Sequence, residues 1–513
     1  MSQTLNQNQY VDVIIQQIIS EGLTHIFITS NNHIYEKIND LNANYTLIAN
    51  SCPKTVAMAA LGFSQASLKP SVIILNDFQQ VIEAYPAIYA AFLTNIPLVI
   101  IYFNNSNVGL AHAKHNFAKK HYHVDRLDDL SATVRKAFFK ANCLPRGPIT
   151  IQIDRPVLKQ SITNSQSYLP PQTNSFNQPD INFVKKIAQV LFNATNPIII
   201  VGDEINHCGS RREAENLAKI LACPVYGEST YTSVNFSTNH EFFLGHLDDD
   251  FNSVLNILEN HDVIMLIGVK YPSPSLINNL RFNPNQRLII QLNLDFTNVM
   301  SDIPSYLNLI ADLSSTLLKI QNEIQTLVNQ NWMDEAKERK NKIITQNLNL
   351  LQSLKSSQSS TNITLTKFLN NLSQVKPSQD PVVAWQGLKI HNYSICFAWT
   401  SSSSYYSLAS SGQALELSQA IGIALACNSS QSVIVISPIE AISEYLNPMI
   451  LANSLGLKIK FIFVSFTNNK VYVNYLKYFN VPSFNSTKDV NQGLKKIFEN
   501  EQTIQAINIV LEK

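Results

Sequence analysis

Short apolar runs recur along this chain, and most are followed by a stretch with helical spacing. His25 to Thr29, Ser71 to Leu75, Pro97 to Phe103 and Pro148 to Ile153 are such runs. Around them, Tyr10 to Ser20, Ile34 to Leu41, Val81 to Leu93 and Leu127 to Ala141 repeat apolar residues at helical intervals, and Lys54 to Ala66 is rich in Ala and Met. Strands covered on both faces read as continuous apolar runs, and the helices joining parallel strands supply the cover. The pattern predicts an α/β fold made of doubly wound parallel sheets.

The rhythm occurs three times, as a chain of 513 residues allows. Residues 1–165 form the first unit. Residues 166–178 (QSYLPPQTNSFNQ) read as a linker rich in Pro, Gln and Asn. A second unit spans 180–325, with strands expected at Pro197–Gly202, after Ala222, at His261–Gly268 and at Gln286–Leu292, and helices at Asn182–Asn193, Gly209–Ala222 and Ser253–Asn260. Residues 326–361 read as a polar helical linker. A third unit, 362–513, has strands expected at Ser394–Ala398, Ser432–Ile436, Lys460–Ser465 and Ile504–Leu511. Its expected helices are Ala414–Ala426, Asn447–Leu455 and Val490–Asn500.

Composition excludes several function classes. Hydrophobic residues make up 45% and charged residues 15%, so the chain can bury large cores. A net charge of +1 gives no footprint for nucleic acid. No apolar run reaches the roughly 18 residues of a membrane span, and the polar opening MSQTLNQNQY predicts no secretory leader. The six cysteines are scattered without a CxxC pair, which predicts reduced thiols in a cytoplasmic protein.

Several segments, in order, resemble the thiamine-diphosphate-dependent 2-oxo acid decarboxylase and acetolactate synthase superfamily, in its benzoylformate decarboxylase-like form. They are SEGLTHIF, MAALGFSQASLKPSVIIL, FLTNIPLVII and RGPITIQIDRPV in the first unit. NPIIIVGDEI, HEFFLGHL and LENHDVIMLIG follow in the second, and SYYSLASSGQALELSQAIGIALA in the third. The resemblance implies a pyrimidine-binding-like first domain, a central domain and a diphosphate-binding-like third domain. It also implies that cofactor would lie between the first domain of one subunit and the third of another.

The positions that serve the cofactor in such enzymes are altered here. The glutamate that drives ylid formation corresponds to Pro53, which has no acid and no N–H. The glycine turn near the first strand reads Thr29-Ser30-Asn31-Asn32. The Gly-Asp-Gly motif reads Pro438-Ile439-Glu440, so an isoleucine replaces the anionic metal ligand. The following Asn-Asn falls at Ser465-Phe466, with Asn468-Asn469 as a shifted remnant. The apolar wedge that bends the cofactor corresponds to Gln413. Scarcity of glycine fits these changes: 14 in the whole chain, against a usual share of about 7%, although glycine is what lets backbone approach a phosphate.

Other clusters carry two readings. His112, His115, His121 and His123 suggest a metal or proton-relay site, but their spacing matches no compact ligand motif, which favours a solvated loop and strand end. Asp248-Asp249-Asp250 suggests a cation site or, more simply, a helix start. Gly202-Asp203-Glu204 resembles Gly-Asp-Gly but follows a middle-unit strand, where a structural turn is expected. Arg211-Arg212 reads as a surface pair rather than a phosphate site, and Cys52 as an inert thiol lacking a base.

The leading expectation is a superfamily member without thiamine-diphosphate catalysis, with no catalytic residues, no metal site and no bound cofactor. It would act as a binding, assembly or regulatory protein, as a homodimer or homotetramer or beside an active paralogue. The competing expectation is an active lyase or decarboxylase, or an acetolactate synthase-like transferase. It would hold thiamine diphosphate and Mg²⁺ in a displaced site using Glu440 and Asn468 or Asn469.

Overall fold

The computed structural model describes residues 9–41, 44–104, 117–160, 162, 166–170, 177–270, 272–282, 287–295, 303–356, 363–409, 414–427, 431–466, 474, 476–477, 481–484, 487–499 and 504–511. They form three six-stranded parallel sheets with flanking helices. The first sheet contains β1 (His25–Thr29), β2 (Thr46–Asn50), β3 (Ser71–Leu75), β4 (Leu98–Asn104), β5 (Lys120–Val124) and β6 (Ile149–Asp154), ordered β2-β1-β3-β4-β6-β5. The second contains β7 (Pro197–Val201), β8 (Val225–Gly227), β9 (Phe243–His246), β10 (Val263–Ile267), β11 (Leu288–Asn293) and β12 (Leu307–Ile310), ordered β12-β11-β10-β7-β8-β9. The third contains β13 (Val382–Ala384), β14 (Tyr405–Tyr406), β15 (Val433–Pro438), β16 (Ile459–Ser465), β17 (Ser483–Phe484) and β18 (Ile504–Val510), ordered β14-β13-β15-β16-β18-β17.

By their contacts the residues fall into two compact units. One comprises Met1–Asn174, Ser410–Phe463 and Glu501–Ala506, the other Ser175–Ala409, Val464–Asn500 and Ile507–Lys513.

In the first of these units, β3 and β4 are buried at every position, as continuous apolar runs require. The helix Pro53–Ser67 starts with proline at its first turn, where a missing N–H is harmless, and ends at Leu68 in the left-handed conformation. It crosses the helix Glu416–Ala426 at very short range. A Cβ on Gly62 would lie 2.0 Å from the carbonyl oxygen of Gln419, and one on Gly422 would lie 1.8 Å from that of Ala59. Only glycine allows the two backbones this approach. The Gln419 amide donates to Gln65 at 2.6 Å across the crossing.

In the other unit, β7 shows why both faces of a sheet fill. Ile199 and Val201 join the core formed with Val184, Leu191 and Leu217, whereas Ile198 and Ile200 join Leu266, Leu276 and Leu280 on the opposite face. The alternation is the period-two geometry of a strand.

The run expected as a strand at Ser394–Ala398 is instead a 3₁₀ segment, Ile390–Phe397. Lys389 and Ala398, both at φ 47°, turn the chain left-handed on either side of it. Its apolar residues are buried by aromatic packing, with Phe397 stacked on Trp399 at 4.8 Å and Trp399 on Tyr405 at 4.7 Å. Among the described residues, no helix is long and apolar enough to cross a membrane.

Candidate functional site

The resemblance assigns the diphosphate turn to the end of β15. Pro438 is its last residue, at φ −65°, and it opens a 3₁₀ turn over Ile439–Glu444 without a side-chain cap. Pro438 offers no N–H. Ile439 is 1% exposed, its side chain committed to the core, and Glu440 is exposed. Pro53 is buried at the first turn of its helix, with Cys52 as the capping residue. The neighbouring Lys54 Nζ pairs with Glu444 at 2.9 Å. Ser465 closes β16 and is buried, while Phe466 is 40% exposed. Gln413, Asn468 and Asn469 lie outside the described residues.

The structure adds a carboxyl that the sequence reading did not single out. Glu416, in the first turn of Glu416–Ala426, is 2% exposed. Its Oε2 accepts from Ser437 Oγ at 3.3 Å and from Tyr445 OH at 3.1 Å, and Tyr445 OH also lies 2.5 Å from Ser437 Oγ. Burial pushes the Glu416 carboxyl up to about 7, against the opposing pull of these hydrogen bonds. Tyr445 is raised as well, by burial and then by the Glu416 charge. The available signal was a lone acid inside the apolar helix ALELSQAIGIALA. A buried acid is therefore hydrogen-bonded to Ser437, the residue before the Pro438-Ile439-Glu440 segment.

The other clusters resolve into structural roles. His121 and His123 lie on β5; His112 and His115 fall outside the described residues. His123 places Nδ1 2.8 Å from Asp125 and Nε2 2.8 Å from Asp154, and His121 Nδ1 meets Thr150 Oγ1 at 2.8 Å. Among the described residues, no group of three or more His, Cys, Asp or Glu could hold a metal ion. Asp250 caps the helix Phe251–Leu258 through Ser253 N, and Asp248 and Asp249 pair with Lys389 at 3.3 and 3.1 Å. Asp203 is buried, accepting from Thr232 and from Asn235 Nδ2 at 2.8 Å, and burial raises its pKa. Its neighbour Gly202 is a contact glycine, since a Cβ there would lie 2.3 Å from Gly268 O. Arg211 Nε lies 3.8 Å from Glu215.

Residues 8–129 match the family described as thiamine pyrophosphate enzyme, N-terminal TPP binding domain. Residues 184–320 match thiamine pyrophosphate enzyme, central domain. The chain belongs to the thiamine-diphosphate-dependent enzyme superfamily.

Among this superfamily's curated members, the acetolactate synthase large subunit of Buchnera aphidicola subsp. Acyrthosiphon pisum is 22% identical over 355 residues, covering 64% of this chain and 60% of the relative. Benzoylformate decarboxylase of Pseudomonas aeruginosa is 21% identical over 259 residues, 48% of this chain and 49% of the relative. The chain thus spans about 60% of the first of these relatives. The fold is shared with benzoylformate decarboxylase from Polynucleobacter necessarius, at a TM-score of 0.81 and 15% identity, covering 98% of this chain and 99% of that one. The thiamine diphosphate-dependent 4-hydroxybenzoylformate decarboxylase of Rhodococcus jostii RHA1 gives 0.81 and 16%, with the same coverage.

The superfamily implies thiamine diphosphate, whose diphosphate needs backbone N–H donors and a metal held by hard oxygen. At the end of β15 the described residues do not fit that group. They supply a proline nitrogen, an apolar side chain in the core and a buried carboxyl.

Proposed function

We propose that this chain is a superfamily member that has given up thiamine-diphosphate catalysis and serves as a binding, assembly or regulatory protein. The single observation that carries the reading is Ile439. At the position that the resemblance assigns to the metal ligand, its side chain is 1% exposed, so the segment is built into the core. Pro53 at the proton-relay position and Glu416 beside Ser437 support it. A single loss could be tuning; changes in the proton relay, the metal ligand and the phosphate turn together favour lost selection for the cofactor.

Family membership favours the rival reading, an active lyase or transferase with a displaced cofactor site at Glu440 and Asn468 or Asn469. Product analysis separates the two. The proposed reading expects no decarboxylation of pyruvate or benzoylformate with thiamine diphosphate and Mg²⁺ supplied. Turnover above the uncatalysed rate would favour the rival.

We also propose a homodimer or a dimer of dimers, alone or beside an active paralogue. Supporting this, the helix Phe78–Leu93 exposes Ile82 (52%), Tyr89 (38%) and Phe92 (36%), positions three and seven residues apart that share one face. Phe117 packs against Tyr89 at 4.8 Å and extends the apolar patch. An exposed patch of this kind calls for a partner.

A further inference from the structure

The buried stripe of the helix Gln9–Ser20 carries an amide. Gln17 is 0% exposed, on the same stripe as Tyr10, Val13, Ile14 and Ile18. A buried amide is costly unless its hydrogen bonds are made. Two of them stay among neighbouring helical residues: Oε1 accepts from Ser131 Oγ at 2.7 Å, and Nε2 donates to Glu21 Oε1 at 2.8 Å. The others go to one residue of the segment that the sequence marks as a linker. Oε1 accepts from Tyr168 N and Nε2 donates to Tyr168 O, both at 2.8 Å.

Neighbouring strands exchange N–H and C=O bonds between facing residues. Gln17 reads Tyr168 in the same way, through atoms that every peptide has, and Ser131 fixes the amide for the task. Selectivity comes from Arg135, one helical turn beyond Ser131 on the helix Leu130–Asn142. Its Nε donates to Leu169 O at 2.9 Å, and its guanidinium stands 5.7 Å from the centre of the Tyr168 ring. Leu169 is 78% exposed, so its side chain is not read. Pro170 biases Leu169 toward extended backbone, which orders the segment in advance.

A second peptide of the same kind could make every one of these contacts. If the segment leaves, a donor and an acceptor of Gln17 are left unmet, a cost that favours recapture. We propose that Gln17, Ser131 and Arg135 form a peptide-recognition site for an extended segment with an aromatic residue followed by X-Pro, and that the chain's own Tyr168-Leu169-Pro170 fills it as a displaceable strap. The tether holds the strap in place, since a linked segment has an effective concentration on the order of millimolar. The site uses none of Pro53, Glu416 or Ile439, so it stands or falls apart from the reading of the cofactor positions.

The test uses the full chain and the capped peptide QSYLPP, residues 166–171. Tyr168→Pro removes the N–H and the ring of the strap. Saturation-transfer NMR should show saturable binding of the peptide to Tyr168→Pro, and binding at least about tenfold weaker to the wild type, whose site is filled. A peptide methylated on its tyrosine nitrogen should not bind. Hydrogen exchange gives a second reading: the Tyr168 amide should exchange at least about tenfold more slowly in the wild type than in the free peptide, and Gln17→Leu should remove that protection. The wild type against the free peptide decides the matter even if a variant fails to fold. No saturable binding to folded Tyr168→Pro, equal binding of the methylated peptide, or equal exchange in the wild type and the free peptide would each overturn the proposal. Protection retained in folded Gln17→Leu would overturn it as well.

Discussion

The hydroxyl of Tyr445 lies 3.1 Å from Oε2 of Glu416, and both side chains are buried. Burial makes the carboxyl cheaper to hold protonated than ionised, against the opposing pull of the Tyr445 hydrogen bond. Its pKa rises from the ordinary value of 4.5 to about 7. Between these two values the folded state holds a proton that the unfolded chain has released. Stability from this group is therefore fully present at low pH and lost as pH rises from about 4.5 to about 7, on the order of 3 kcal/mol in all. Urea denaturation of wild type and Glu416→Gln from pH 5 to 8.5 measures it. The difference should grow with pH in favour of Gln and level off above about 7. A difference that does not change with pH would contradict the burial argument.

The helix crossing in the same unit gives a sharper steric prediction. Gly422→Ala places a methyl within 1.8 Å of the Ala59 carbonyl oxygen, and backbone cannot yield as a flexible side chain would. Overpacking of this kind costs about 3 kcal/mol or prevents folding. Gly147→Ala is the control, because its Cβ would meet Lys119 at an ordinary 3.5 Å. Thermal unfolding should show a large loss for Gly422→Ala and little change for Gly147→Ala.

The first sheet shows what the sequence makes legible. β1 and β3 lie at the expected residues because each is an apolar run that a parallel sheet buries on both faces. β2 (TLIAN) and β5 (KHYHV) were not foreseen. Both sit at the edges of the sheet, where one hydrogen-bonding edge has no neighbouring strand and most positions are only partly buried, so polar residues are tolerated and no long apolar run marks them. Ser394–Ala398 failed in the opposite way: its apolar residues satisfy aromatic neighbours rather than a ladder. The proposal that cofactor positions are altered rests on the residue types at Pro53 and Ile439, which the sequence alone displays. The Glu416–Ser437–Tyr445 group could not be read from it, because packing of a helix start, a strand end and a helix cap brings together residues 21 and 29 positions apart. Likewise His123 meets Asp154 through the β5–β6 register, in which His123 pairs with Gln152.

Assembly is testable through the exposed helix face. Light scattering at micromolar concentration should report a dimer or tetramer for the wild-type chain. Phe92→Asp puts a charge on a residue already 36% exposed, so the fold should survive while the assembly dissociates. A wild-type monomer under these conditions would contradict the proposed assembly.

The account stands most directly on the cofactor. A diphosphate at the end of β15 would meet Pro438 without an N–H, Ile439 without an oxygen and the exposed acid Glu440. Two unit charges about 5 Å apart at an effective dielectric near 20 repel by roughly 3 kcal/mol, a loss of about a hundredfold in affinity. Pro53→Glu should not restore binding, since the metal ligand would still be missing. Isothermal titration of the wild-type chain with thiamine diphosphate in the presence of Mg²⁺ is the decisive measurement. The account predicts no binding below the millimolar range; a micromolar dissociation constant would contradict it.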